Sequence, residues 1–213
     1  MNLYYQELDN YLKNINKIEN NLIIAPSNIY LIEFLKKTNH QIASQDVCYV
    51  ESGNYTGKVS WRQIKSLGIK YSIIGHSEKK DDIKEINDKV NICIDNEITP
   101  ILCFSNEPNE SIIEVLDRFK IIHPDKVIYA YEPIDNIGSN NINVNNISQE
   151  INLIYNYLTN KLKQRPNLLY GGGINENNID EIYHLEKLNG ILLGSKSSNI
   201  EVVKNLLMKI NEK

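Results

Sequence analysis

Short apolar runs alternate with longer stretches in which apolar residues return every three or four positions, along the whole chain. The longer stretches have the spacing of helices with one buried face. The runs are too short for helices and are continuously apolar, which is typical of parallel strands buried on both faces. The pattern predicts strands at 22–25, 41–45, 71–74, 100–104, 127–131, 167–170 and 190–193. It predicts helices at 3–17, 61–67, 81–95, 111–121, 148–162, 176–185 and 200–210, and one more that Ser27 caps.

This alternation predicts an α/β fold with a parallel sheet. The chain opens on a helix, so the prediction contains eight helices and only seven strands. One interpretation is a (β/α)₈ barrel, a single domain over 1–213, with the first β-strand missing. The alternative is an open doubly wound sheet, which places its ligand at one switch point. Polar and glycine-rich residues follow several different strands, and this distribution favours the barrel.

Composition and charge argue against several classes of protein. The 213 residues are 41% hydrophobic and 23% charged, as in ordinary globular proteins. A net charge of -4 without a basic stripe argues against a nucleic-acid partner. No apolar run is long enough to span a membrane, and the N-terminus does not resemble a signal peptide. The three cysteines lack metal-ligand spacing and are typical of free thiols in a reducing, cytoplasmic compartment.

A histidine follows the strand at 71–74, after Gly75. Ser77 is the predicted N-cap of the next helix, so His76 is expected where a strand end meets a helix N-terminus. The positive end of the helix dipole disfavours imidazolium there and holds a neutral ring that can donate a proton to a developing oxyanion. The alternative is a loop histidine in a capped turn, which is the commoner case for such a segment alone.

A carboxylate follows the strand at 127–131. Glu132 precedes Pro133 and a long loop, 134–146. Such a carboxylate is either a general base or a stabiliser of neighbouring backbone N–H groups. The loop is longer than most that follow barrel strands, and long loops at this face are often lids.

Two glycine-rich turns end the last two strands. One is Gly171-Gly172-Gly173, and the other is Gly194-Ser195-Lys196. Glycine lets the backbone approach a ligand closely, and a phosphate site after the last two strands is common in barrels. The alternative is a pair of tight turns that need glycine only for their backbone conformation. The occurrence of both turns in consecutive units favours a phosphate site.

Several of these segments together resemble the triosephosphate isomerase family. They occur in the family's order over essentially the whole chain, and the Gly-His-Ser-Glu and Tyr-Glu-Pro motifs are highly specific in combination. The matching segments are 25–31, 53–57, 71–80, 129–138, 169–174 and 190–195.

The resemblance implies a TIM barrel that interconverts dihydroxyacetone phosphate and D-glyceraldehyde 3-phosphate. It implies that Glu132 is the base that moves the proton and that His76 polarises the carbonyl. Glu78 would be a buried supporting carboxylate beside the histidine.

The resemblance also implies where the substrate phosphate and a partner subunit bind. Backbone N–H groups of Gly138, Gly173, Gly194 and Ser195 would hold the phosphate, under a lid formed by 133–144. Thr56 on the long loop would insert into a second copy, which implies a homodimer. No metal or organic cofactor is expected.

The sequence departs from the family at several positions. The family's first strand, with its substrate-binding Asn-x-Lys, has no counterpart, and we expect that Met1 is the Met of that motif in a chain that extends upstream. Asp135 and Asn136 replace the usual lid-hinge residues, Gly173 replaces a serine, and Lys58 replaces a glutamate, so that it is expected to face Lys80.

These departures leave two other functions open. One is a non-catalytic or degraded barrel that retains phosphate binding or a structural role. The other is a different phosphate-handling barrel enzyme, against which the joint presence of His76 and Glu132 argues.

Overall fold

Seven parallel strands form one curled sheet, in which each strand pairs with its neighbours in chain order. The computed structural model describes residues 2–106, 110–136, 138 and 142–211. The strands are β1 (Ile23–Ile24), β2 (Gln41–Ser44), β3 (Tyr71–Ile74), β4 (Thr99–Phe104), β5 (Ile128–Tyr131), β6 (Asn167–Gly171) and β7 (Gly190–Leu192). A doubly wound sheet reverses its strand order at a switch point, so the sequential order excludes that alternative.

Helices alternate with the strands. They are α1 (Tyr5–Ile15), α2 (Leu31–Lys37), α3 (Trp61–Ser66), α4 (Ile83–Asp95), α5 (Ile112–Arg118), α6 (Val144–Leu162), α7 (Ile179–Tyr183) and α8 (Ile200–Asn211). The prediction of a barrel that lacks its first strand is confirmed. None of the helices in the described ranges is long and apolar enough to cross a membrane.

The first and last helices pack against each other and bring the two ends of the sheet together. Within the described residues, no strand pairing joins β7 to β1. The hydroxyl of Tyr11 on α1 donates to the carbonyl oxygen of Ser197, which follows β7, over 2.8 Å. Burial raises the pKa of Tyr11 to about 12, so this hydroxyl remains a hydrogen-bond donor at neutral pH.

The sheet buries both of its faces, as its apolar runs predict. On β4, Leu102 belongs to the large core between the sheet and the helices. Its neighbours Ile101 and Cys103 belong to a smaller core with Ala130 of β5, on the other face of the curled sheet. Side chains alternate between the faces of a strand, so a continuous apolar run fills both cores.

Three predicted helix starts differ from those in the structure. Ser27 makes no capping hydrogen bond with its side chain, and it precedes a short 3₁₀ turn at Asn28–Tyr30. Ser77 lies in a turn, while α4 starts after Asp82, whose carboxylate accepts from the amide of Glu85 over 2.7 Å. Helix α6 starts four residues earlier than predicted. In each case the cap depends on the path of the chain, which the residue types alone do not determine.

Candidate active site

The carboxyl ends of the strands lie at one edge of the sheet because the strands are parallel, and the ends of β3 to β7 are opposed to within two residues. Ile74 of β3 is opposite Leu102 of β4, and Phe104 is opposite Tyr131 of β5. The pairing continues through β6 to β7, where Tyr131 is opposite Tyr170 and Gly171 is opposite Leu192. Residues that directly follow these ends are therefore brought together.

His76 is held in one orientation by the turn that follows it. Its carbonyl oxygen accepts from the amide of Lys79 over 2.9 Å. The amide of Glu78 donates to Nδ1 of the ring over 3.3 Å. A nitrogen that accepts a hydrogen bond carries no proton, so this contact favours the neutral tautomer with its proton on Nε2. A backbone amide thus supports the neutral ring that we attributed to a helix dipole, since α4 begins only at Ile83.

The protonated nitrogen faces Glu132. Nε2 of His76 lies 3.6 Å from Oε2 of Glu132, which connects the ends of β3 and β5. Glu132 is 8% exposed, and its Oε1 is buried without a hydrogen-bond partner among the described residues. Buried polar atoms normally have partners, so an unsatisfied carboxylate oxygen is available to accept a proton.

Two further residues enclose this carboxylate. Burial, together with the negative charge of Glu132 beside it, raises the pKa of the Cys103 thiol well above its usual value. A Cβ atom added at Gly171 would lie 2.8 Å from Cγ of Glu132 and 3.1 Å from Oε2. Glycine at this position is therefore required by the close approach of the Glu132 side chain to β6.

Glu78 is not the buried carboxylate that the family resemblance implied. Its side chain is 88% exposed, and its Oε2 is 3.9 Å from Nδ1 of His76. Among the described residues, no lysine or arginine forms an ion pair with Glu78. A carboxylate without a cation remains in water because an unpaired buried charge is strongly unfavourable.

The two glycine-rich turns are neighbours, since Gly173 and Gly194 each lie two residues after the opposed pair Gly171–Leu192. Gly173 has a positive φ of 61°, a left-handed conformation that favours glycine. Its carbonyl oxygen accepts from the side-chain amides of Asn175 and Asn178. Gly194 and Ser195 are exposed. Lys196 donates from Nζ to the carbonyl oxygen of Ile174 over 2.9 Å, and this bond joins the two turns.

The base of the predicted lid is tied to the neighbouring strand ends. Ser105 accepts from the amide of Ile134 over 3.1 Å. Asn136 donates to the hydroxyl of Tyr170 over 2.9 Å. Gly138 is exposed and has a positive φ of 76°. Within the predicted lid, 133–144, residues 137 and 139–141 lie outside the described residues.

Thr56 lies in a long loop between β2 and α3, and not at the strand ends that carry His76 and Glu132. Every side chain from 51 to 58 is exposed. Lys58, which we expected to face Lys80, instead pairs with Glu85 of α4 over 3.3 Å. A cavity of about 510 Å³ lies beneath the loop, lined partly by Tyr55 and Arg62, and none of its lining residues belongs to the His76–Glu132 pair.

Among the described residues, no group of three or more histidine, cysteine, aspartate or glutamate side chains is arranged to hold a metal ion. The sequence reasoning missed three contributors to the site. They are Gly171 beside Glu132, the Glu78 amide on Nδ1, and the Asn136–Tyr170 bond. Each depends on distances between segments, and the triple glycine was the only local signal for any of them.

Comparison with known proteins agrees with the family resemblance of the sequence motifs. The family model described as "Triosephosphate isomerase" matches residues 1–210. The triosephosphate isomerase of Orientia tsutsugamushi (strain Boryong) is 30% identical over 237 residues, covering 99% of this chain and 94% of that protein. Those of Buchnera aphidicola subsp. Baizongia pistaciae and Wigglesworthia glossinidia brevipalpis are 32% and 33% identical. Each alignment covers 92% of this chain, with 87% and 84% of the respective relatives.

Proposed function

Because this chain belongs to the triosephosphate isomerase family, we propose that it interconverts dihydroxyacetone phosphate and D-glyceraldehyde 3-phosphate. The observation that carries the proposal is the contact between His76 and Glu132, with Nε2 and Oε2 3.6 Å apart. The two side chains follow different strands, β3 and β5, and meet at the carboxyl ends of the sheet.

Glu132 acts as the base and His76 as the hydrogen-bond donor. Glu132 takes the proton from the carbon next to the substrate carbonyl, and the electrons of that C–H bond form the C=C bond of an enediolate. Nε2–H of His76 stabilises the oxygen on which negative charge develops. Nε2 of His76 gives its proton to this oxygen and takes the proton of the neighbouring hydroxyl, so that the carbonyl changes carbon. Return of the carbon-bound proton from Glu132 to the adjacent carbon completes the isomerisation. Glu78 supports this arrangement through its backbone amide, which fixes the ring of His76.

The substrate phosphate binds at the two glycine-rich turns. Its ligands are backbone N–H groups of Gly138, Gly173, Gly194 and Ser195. The adjacency of the turns supports this assignment, because both lie beside the end of β6, where Gly171 approaches Glu132. The ammonium group of Lys196, bound at the Ile174 carbonyl, adds positive charge near the same turns.

The working protein is a single-domain, cytoplasmic homodimer without a metal or organic cofactor. The exposed loop that carries Thr56 would contact the second copy, and its uniformly exposed side chains support this placement. The proton transfer needs only a base and a donor, both of which the chain supplies.

An isomerase assay with two site variants and two control variants tests the function. Glu132→Gln keeps the size of the side chain and removes its basicity, so we expect kcat to fall by at least about a hundredfold. His76→Gln should also lower kcat strongly, whereas Glu186→Gln and His123→Gln, at exposed positions, should remain within about twofold of the original protein. A folded chain without activity would overturn the proposal and support the non-catalytic alternative.

A further inference from the structure

A lysine is buried in the helical layer beside the turn that carries His76. The side chain of Lys89 on α4 is 2% exposed. Its Nζ lies 2.5 Å from Asp81, 3.0 Å from Asp46 and 3.3 Å from Glu85. A buried ammonium group is stable only when it is paired, and here it has three carboxylate partners.

Two of the three carboxylate partners of Lys89 adjoin or contact the His76 turn. Asp81 follows this turn in the chain, and Asp46 follows β2, the strand beside β3. Lys79, within the turn, pairs with Asp46 over 2.8 Å. The end of the turn is therefore fixed by two contacts, Lys79–Asp46 and Asp81–Lys89. Asp46 links them because it also pairs with Lys89.

The backbone between these two anchors is strained. Lys80 has a φ of 54°, a left-handed conformation that residues other than glycine adopt infrequently. Such a conformation persists when the surrounding contacts hold it in place. Lys79 and Asp81, the residues on either side of Lys80, are the two that make ion pairs with the network.

The network is balanced in charge and extends to the long loop. Lys58 of that loop pairs with Glu85, which also contacts Lys89. Burial alone would lower the pKa of Lys89, but the hydrogen bonds that its ammonium group donates to Asp81 and Asp46 outweigh this effect and raise that pKa above its usual value. Lys89 is therefore a fixed positive charge at neutral pH, at the centre of the three carboxylates.

We propose that Lys89 is a positioning residue for His76, because it anchors Asp81 directly, and Lys79 through Asp46, at the end of the His76 turn. The inference rests on the proposed isomerase function. Lys89 touches neither the substrate nor His76, so its effect is on the orientation of the ring. A displaced turn would weaken the bond from the Glu78 amide to Nδ1 and move Nε2 away from the substrate oxygen.

The test compares Lys89→Met with Lys84→Met. Lys84 lies on the same helix, but its side chain is 81% exposed and pairs only with Asp88 among the described ion pairs. We expect Lys89→Met to lower kcat by at least about tenfold, with KM changed by less than about threefold. Lys84→Met should leave both parameters within about twofold. A folded Lys89→Met protein with the original kcat would overturn the proposal.

A spectroscopic measurement separates positioning from the function itself. Four histidines are present, and the ring ¹⁵N signals of His76 can be identified by their loss in His76→Gln. We expect the signal of an unprotonated Nδ1 that accepts a hydrogen bond, and we expect it to shift in Lys89→Met but not in Lys84→Met. This result would support the positioning role even if the chain had no isomerase activity, and an unchanged signal would contradict it.

If Lys89→Met does not fold, Lys79→Met provides a second test of the positioning role. The Lys79 side chain is 47% exposed, so replacing it leaves no cavity in the buried part of the protein. We expect a kcat several-fold lower and a His76 signal shifted in the same direction. Original kcat and original signal in this variant would overturn the proposal.

Discussion

The carboxylate of Glu132 is enclosed by residues from three neighbouring strand ends. His76 follows β3, Cys103 lies on β4, and Gly171 ends β6. A base that abstracts a proton from carbon must be held close to its productive position, since small displacements are costly to the rate. At the scale of single residues, the site thus depends on the absence of a side chain at Gly171 as much as on the carboxylate of Glu132.

Gly171→Ala tests this dependence. The added methyl group would lie 2.8 Å from Cγ of Glu132, so the side chain must move away from its position. We expect kcat to fall by about ten- to a hundredfold, measured in the isomerase assay. Gly190→Ala on β7 is the matched control, because its methyl group would meet only Leu169, at 3.4 Å. Equal losses in the two variants would contradict the account.

Whole elements were easier to predict than their ends. Burial on both faces produces apolar runs, and this made all seven strands visible in the sequence. The start of α6 was missed because it depends on Asn143, whose side chain accepts from the amides of Asn145 and Asn146. Asparagine is common in turns as well as caps, and six other asparagines lie nearby in 136–152, so its residue type did not identify the cap.

Asn143→Ala tests the cap at the end of the predicted lid. Loss of the two hydrogen bonds should lower the free energy of unfolding by about 1 kcal/mol, measured by denaturant titration at fixed protein concentration. Asn152→Ala, at an exposed position within α6, should instead be neutral or slightly stabilising because alanine favours a helix interior. A destabilisation of the same size in both variants would argue against a specific cap.

At the scale of the whole molecule, sequential strand order places the ends of β3, β5, β6 and β7 around one site. The sequence predicted this arrangement, because alternation and the family motifs both indicate a barrel. It could not predict the network around Lys89, in which Asp46 and Lys89 are separated by 43 residues. Charged residues at such separations have no periodic signal, and only the folded chain brings them together.

The proposed homodimer is tested by sedimentation. The chain has a mass of 24.6 kDa, and we expect a species of about twice this mass at micromolar concentration. Thr56→Arg places a charge in the proposed interface and should shift the mass toward that of one chain. Asn160→Arg, an exposed position on α6, should leave the mass unchanged. A single-chain mass for the original protein would contradict the homodimer.

The most direct test of the account is the fate of the transferred proton. Conversion of dihydroxyacetone phosphate in D₂O, followed by NMR, reports whether a base exchanges that proton with solvent during its transfer. If Glu132 carries the proton through an enediolate, deuterium will appear at C2 of the glyceraldehyde 3-phosphate formed, and Glu132→Gln will lose both turnover and incorporation. Product that forms at the original rate without deuterium, or incorporation that persists in Glu132→Gln, would contradict the assignment of Glu132 as the base.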